Sequence, residues 1–153
     1  MVRRQYARLS DDLSALSAFS AMLPVGAPDA QSGDARSIRL TGGGASCSRA
    51  RSFVRTSLAA IGWEGDVEAA VLLASELVAN ASLHGGGECR LTLRIANRRL
   101  RIEALDSSAH LPVLRHPADL EEGGRGLLLV DVLALDWGAA VLEGHGKVVW
   151  FEL

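Results

Sequence analysis

Lysine and cysteine are nearly absent from this sequence of 153 residues. Lys147 is the only lysine among 16 basic residues, so the positive charge is otherwise carried by arginine. Cys47 and Cys89 are the only cysteines, and they form no C-x-x-C pair. This excludes a disulfide framework and a thiol-based zinc or redox motif. A reducing compartment is the simplest setting, and we expect a cytoplasmic protein.

Long apolar runs and a charge excess are missing as well. No stretch approaches the roughly 20 apolar residues that cross a bilayer, so no membrane association is expected. The formal net charge is −2, which argues against direct, charge-driven binding to nucleic acid. The four histidines show no H-E-x-x-H spacing for zinc. With 48% hydrophobic residues, the chain has the composition of one globular domain.

Residues 1–35 differ in pattern from the rest and are predicted to be an N-terminal extension. Ser10 is a candidate helix cap, and Pro24 would end the helix. One face of that helix would carry four leucines, at positions 9, 13, 16 and 23. A linker over 25–33 follows. Two interpretations remain open: a tail of little consequence, or an amphipathic helix that docks on this domain or on a partner.

Residues 36–153 are predicted to form the main domain, of class α+β. Helical periodicity and capping residues indicate helices over 46–61, 67–84 and 127–135. Alternating patterns indicate strands over 37–40, 89–96, 100–105, 137–142 and 147–153. Because the helices and strands do not alternate regularly, we expect one mixed sheet with helices packed on one face.

The helix over 67–84 carries a short polar line. Glu76, Asn80 and His84 are spaced i, i+4 and i+8, so they lie on one stripe. Such residues are ordinary on a solvent-facing helix surface. However, asparagine is a poor helix former in a helix interior, and carboxylate and amide oxygens suit Mg²⁺. The stripe is therefore a candidate site for a metal ligand beside a general base.

Two further segments carry candidate chemistry. Residues 121–127 read Glu-Glu-Gly-Gly-Arg-Gly-Leu, and glycines before a helix let backbone N–H groups approach an anion. The segment is neither a Walker A motif nor a dinucleotide-binding fingerprint. Asp106 ends an apolar strand, where its carboxylate could accept a hydrogen bond from an exocyclic amine. A simple turn is the alternative for each segment.

Together, in this order, the three segments resemble the GHKL ATPase/kinase superfamily, which has the Bergerat ATP-binding fold. The segment 75–81 with His84 resembles that family's N box, Asp106 stands where its first glycine box begins, and 124–127 resembles its second. The chain end is similar to that of small actinobacterial anti-sigma-factor serine/threonine kinases. The resemblance covers about residues 37–153 and implies a Bergerat-type α/β sandwich that binds ATP and Mg²⁺.

The resemblance also implies roles for the N box and for the first glycine box. Glu76 would be the general base for a serine hydroxyl or a water. Asn80 would ligate Mg²⁺, and His84 would belong to the ATP site. Asp106 would accept a hydrogen bond from the adenine amino group.

The remaining implied ATP-binding residues lie in the second glycine box and near the chain end. Gly124 and Gly126 would let a loop close over the phosphates, and Leu127 follows them. Arg125 and Lys147 would be charge partners of the phosphates. The chain departs from the D-x-G-x-G pattern of the first box, because residues 106–110 read Asp-Ser-Ser-Ala-His.

The function implied by the resemblance is an ATP-binding regulator with serine/threonine-protein kinase activity. It would act as an anti-sigma factor that phosphorylates an anti-anti-sigma partner of the STAS type and controls a sigma factor. Homodimerisation is a further expectation. The alternative is a catalytically weak module of the same fold that sequesters a partner protein, and the missing glycines favour it. An ATP hydrolase without a protein substrate is a third interpretation.

Overall fold

The computed structural model describes residues 4–9, 35–113 and 126–153. Three helices and six strands lie in these ranges. In chain order they are β1 (Arg4–Leu9), β2 (Arg36–Thr41), α1 (Ala45–Ile61), α2 (Val67–His84), β3 (Glu88–Ala96), β4 (Arg99–Asp106), α3 (Gly126–Leu133), β5 (Asp136–Leu142) and β6 (Gly146–Glu152). The helix predicted between Ser10 and Pro24 and the linker over 25–33 lie outside the described residues.

The six strands form one mixed sheet in the order β1-β5-β6-β4-β3-β2. β1 runs parallel to β5, and every other neighbouring pair is antiparallel. α2 packs on β3, β4 and β6, while α1 and α3 contact β2 and β5 at its two sides. The predicted α+β class, with a mixed sheet and helices on one face, is confirmed.

Local sequence signals explain the ends of the two long helices. Asp66 caps α2, because its carboxylate accepts a 2.9 Å hydrogen bond from the Ala69 N–H. Gly62 ends α1 in the left-handed region, with φ of 72°. Between α2 and the sheet lies the core, in which Leu73 and Val78 are completely buried. α2 is therefore held by packing along most of its length, which fixes the orientation of its remaining polar stripe.

The hairpin between β3 and β4 turns at Asn97 and Arg98, whose φ values are 51° and 65°. Two consecutive positive φ values are typical of the tight turn whose twist matches that of paired strands. This confirms the predicted hairpin. It also fixes the cross-strand register that places Cys89 opposite Asp106.

One strand was not predicted from the sequence. β1 pairs with β5, with Arg4 opposite Trp137 and Leu9 opposite Leu142. Leu9 was predicted to belong to a helix, whereas it ends a strand. The partner strand lies more than a hundred residues away in the sequence, so no local periodicity could indicate the pairing.

The sheet face opposite the helices carries a second apolar cluster, formed by Ala140, Leu142 and Val148 with Leu105 against it. In the part of the chain that the structure describes, no helix is long and apolar enough to cross a membrane.

Candidate functional site

A cavity of about 570 Å³ lies between α2, the segment after β4, the start of α3 and β6. This volume is within the range of small-molecule sites. Its walls combine polar side chains from α2, from β6 and from the segment after β4 with apolar residues. The lining residues are Glu76, Leu77, Ala79, Asn80, Leu83, His84, His110, Leu111, Pro112, Val113, Gly126, Leu127, Val130 and Lys147.

The predicted stripe on α2 forms one wall of this cavity. Glu76 and Asn80 are half-buried and His84 is exposed, and all three line the same space. The opposite side of α2 is packed into the core, so the stripe faces away from the core and lines the cavity. A carboxylate and an amide one turn apart are therefore presented to any ligand that enters.

Gly126, the first residue of α3, lies directly against Glu76. A β-carbon at position 126 would overlap Oε2 of that carboxylate and lie 3.3 Å from its Cδ. With a β-carbon at this position, the Glu76 carboxylate would have to move. The contact places the positive end of the α3 dipole beside a carboxylate and beside the space where an anionic group would bind.

Asp106 ends β4 and is held by two donors. Its Oδ1 accepts a hydrogen bond from the Lys147 ammonium at 2.9 Å and another from the Ser108 N–H at 2.9 Å. The side chains of Asp106 and Lys147 are only 2% and 1% exposed. This is a buried ion pair, which arises because the two residues are opposite each other in the β4–β6 register.

Two glycines outside the first glycine box surround Asp106. A β-carbon at Gly85 or at Gly146 would overlap atoms of Asp106, and Gly146 also has φ of 100°. The Ser107 hydroxyl donates a 2.9 Å hydrogen bond to the Gly85 carbonyl. The close packing around this residue thus depends on Gly85 at its side chain and on Gly146 at its backbone, while Ser107 and Ser108 use their polar groups to hold the turn.

The structure places most of the predicted site residues around one space. Gly126, Leu127 and Lys147 line the cavity together with the α2 stripe. Gly124 and Arg125 lie outside the described residues. Asp106 is absent from the lining of the cavity, whereas Lys147, its ion-pair partner, is part of it.

Two features of the site were not predicted. The wall formed by Leu111, Pro112 and Val113 carries no chemical motif, although the proline marks a segment that is neither helix nor strand. The ion pair between Lys147 and Asp106 depends on a cross-strand register that the sequence does not reveal. Lys147 is predicted to be a charge partner of the phosphates, and in the structure its ammonium contacts Asp106.

The described residues contain no group of three or more His, Cys, Asp or Glu side chains that could hold a metal ion on its own. Asn80 offers one hard oxygen, which suits Mg²⁺ shared with phosphate oxygens. Glu76 is close enough to the start of α3 to act on a group bound there.

The sheet order and the helices on one face define an α/β sandwich, with this cavity on the helical side of the sheet. Residues 44–153 match the histidine kinase-like ATPase domain family, which lies in the GHKL superfamily. The match covers more than half of the chain, and the chain belongs to this family. No curated protein matches it. ATP is thus the ligand that the family implies, and the cavity supplies oxygen ligands, a helix N-terminus and a carboxylate that fit it.

Proposed function

We propose that this protein binds ATP with Mg²⁺ and transfers the terminal phosphate to a serine of a protein partner. The partner class is an anti-anti-sigma protein of the STAS type, and the regulated protein is a sigma factor. The observation that carries the proposal is the contact between Glu76 and Gly126. It places a carboxylate at the N-terminus of α3, next to the position where phosphates would bind.

Each residue has a distinct task in this proposal. Glu76 accepts the proton of the attacking serine hydroxyl. Asn80 provides an oxygen ligand for Mg²⁺, which neutralises charge on the phosphates when it is bound. The backbone at the start of α3 orients the phosphates. Because phosphoryl transfer is catalysed mainly by positioning and charge stabilisation, this small set of groups is sufficient.

A second candidate function is a binding module that sequesters its partner with little catalysis. The specific observation that favours it is the buried ion pair of Lys147 with Asp106. This pair engages the carboxylate that is predicted to bind the adenine amino group. In that case the domain would associate with its partner equally well with and without nucleotide.

The test is a transfer assay with labelled ATP, Mg²⁺ and purified STAS-domain proteins from the same genome. Wild type should label a serine, and Glu76→Gln should lower the transfer rate by about 10²- to 10⁴-fold while ATP still binds. Unchanged transfer in Glu76→Gln would remove Glu76 from its role. Calorimetry without heat on addition of Mg·ATP, together with partner binding, would favour the binding module.

The proposed homodimer would form along the edge of the sheet at β1. An edge strand offers unpaired backbone groups that can pair with a second chain. β1 has β5 on one side, and within the described residues no strand pairs with its other side. Light scattering should give the mass of two chains for the full protein and of one chain after deletion of residues 1–35. An equal number of chains in both samples would contradict this interface.

A further inference from the structure

We propose that the segment 10–34 of this chain crosses the sheet face opposite the helices and covers it, with the leucine side of its predicted helix against Trp150 and its neighbours. The inference goes beyond the proposed function, because it assigns an occupant to a surface away from the cavity. It also selects one interpretation of the N-terminal extension, which docks on its own domain.

Side chains on this face are buried, although the described helices pack on the other face. Trp150 and Ala140 are 0% exposed, and Leu142 and Val148 are 4% exposed. The guanidinium of Arg101 stacks on the Trp150 ring, but the side chain of Arg101 is itself only 2% exposed. A sheet face in contact with water would leave such large side chains accessible. A further layer of the chain must therefore lie over them.

The ends of the segment require a long path across the sheet. β1 and β2 are its two edge strands, so five strand spacings, or about 24 Å, separate them. The strand pairings also place Leu9, where β1 ends, at the level of Thr41 and not of Arg36, where β2 begins. The segment therefore starts and ends at opposite corners of the sheet. A helix over 10–23 would span about 21 Å of this path.

The handedness of the connection selects the face that the segment crosses. β1, β2, β4 and β5 all run in the same direction. Connections between parallel strands of one sheet are right-handed in about 98% of cases. The connection from β4 to β5 passes over the helical side with α3 and moves towards β1, whereas the connection from β1 to β2 moves the opposite way across the sheet. To have the same hand, it must pass over the opposite face.

The composition of the segment matches the face in the same order. Its first part carries the leucines and leaves β1 beside the apolar cluster of β5 and β6. Its last part carries Asp29 and Asp34 and reaches β2, where the exposed Arg39 and Arg90 are directly opposite each other. Like charges in such a cross-strand pair repel each other. Carboxylates nearby would reduce this repulsion, and the segment contains no basic residue.

The stretch 114–125 is the alternative cover from within the chain. It follows Val113 and precedes Gly126, and both of these residues line the cavity on the helical side. To cover the opposite face, this stretch would have to pass around the sheet and return. The segment 10–34, in contrast, has to cross the sheet in any case.

Photo-crosslinking tests the contact with an almost unchanged side chain. A benzophenone amino acid in place of Phe19, close to the leucine side of the predicted helix, should couple on irradiation to Ala140, Val148 or Trp150 of the same chain. The same group in place of Ser14, on the other side of that helix, should couple to them with a much lower yield. Coupling from position 19 to α1, α2 or α3, or to a second chain, would overturn the proposal.

Trp137 and Trp150 allow a second test with an internal comparison. Both are 0% exposed and lie on neighbouring strands, but Trp137 belongs to the core on the helical side. With hydroxyl radicals and mass spectrometry, Leu16→Asp should raise the oxidation rate of Trp150 by about fivefold or more and leave that of Trp137 within about twofold of wild type. Ser14→Asp adds the same charge to the other side of the predicted helix and should change neither rate. Unchanged protection of Trp150 in Leu16→Asp would overturn the proposal.

The remaining outcomes identify other covers. If Leu120→Asp exposed Trp150 and Leu16→Asp did not, the stretch 114–125 would be the cover and the proposal would fail. Protection of Trp150 that wild type loses on dilution would indicate a second copy and would also overturn it. If Leu16→Asp exposed both tryptophans, the variant would be unfolded and the crosslink from position 19 would decide. None of these measurements uses ATP, so they are independent of the proposed function.

Discussion

The α-carbon of Gly126 lies against the carboxylate of Glu76, so closely that a methyl group at position 126 would overlap Oε2. The contact joins the middle of α2 to the first residue of α3. It therefore sets the distance between the proposed general base and the helix N-terminus where phosphates would bind. Because the contact depends on the absence of a side chain at Gly126, a substitution to alanine, which adds one methyl group, can test it.

Gly126→Ala should lower the rate of phosphate transfer by about 10²-fold, because the added methyl group displaces the Glu76 carboxylate from its place. The measurement is the labelled-ATP assay with circular dichroism as the test of folding. Gly44→Ala is the matched control, since Gly44 has a helical backbone (φ −60°, ψ −20°) and nothing within 4 Å of an added β-carbon. Equal rates in wild type and Gly126→Ala would show that the contact has no role in transfer.

Asn80→Ala should remove the dependence of ATP binding on Mg²⁺. Asn80 lines the cavity one turn after Glu76, and no other asparagine of the described residues lines it. The ratio of ATP dissociation constants in EDTA and in Mg²⁺ should fall to about one. Ser82→Ala is the control on the same helix, outside the cavity, and it should keep the wild-type ratio. If Asn80→Ala kept that ratio, Mg²⁺ would have other ligands.

The parts of the site that local patterns determine could be predicted from the sequence. α2 has helical periodicity and an aspartate cap, so helix geometry predicts that Glu76, Asn80 and His84 lie on one face. Gly126 likewise begins α3, so its position at the start of a helix is indicated by the residues that follow it. In each case the relevant neighbours are within a few residues, where helix geometry alone fixes their arrangement.

The parts that depend on distant pairing could not be predicted. The ion pair between Lys147 and Asp106 requires the observed register of β4 with β6. The two residues are 41 positions apart in the sequence. A shift of one residue would turn Lys147 to the other face of the sheet. β1 was missed for the same reason, since its parallel partner β5 is at the other end of the chain.

Cys89 should react slowly with alkylating agents at neutral pH. Burial raises the pKa of its thiol to about 11, and the nearby charge of Asp106 adds to this effect. The thiol therefore remains protonated and weakly nucleophilic. In a Cys47→Ser background, iodoacetamide labelling of the folded protein at pH 8 should be much slower than that of the urea-unfolded protein. Equal labelling rates in the folded and the unfolded protein would contradict a buried Cys89 thiol with a raised pKa.

The same pKa makes a prediction about stability. A pKa that is raised in the folded state means that the folded protein holds the proton more tightly than the unfolded chain does. The contribution is fully present below pH 9, where both states are protonated, and is lost as the pH rises towards 11. The fall in urea midpoint between pH 8 and pH 11 should therefore be smaller in Cys89→Ala than in wild type. An identical fall would contradict the linkage.

The buried charges on the sheet face opposite the helices should contribute to stability and not to nucleotide binding. Arg101 pairs with Glu152 at 2.9 Å, both side chains are 2% exposed, and the guanidinium stacks 3.9 Å from the ring centre of Trp150. Glu152→Gln weakens the compensation of a buried guanidinium, which also contacts Glu103 at 2.6 Å. The free energy of unfolding should fall by about 3 kcal/mol.

Urea denaturation measures this effect. An unchanged slope of the free energy of unfolding against urea concentration would show that the unfolded state is not altered. Glu88→Gln is the control, because Glu88 is exposed in β3, and it should change the free energy of unfolding by less than about 0.5 kcal/mol. ATP affinity should remain that of wild type in both variants, since the pair is on the opposite face of the sheet from the cavity. A loss of ATP affinity in Glu152→Gln, without loss of stability, would show that this face communicates with the nucleotide site.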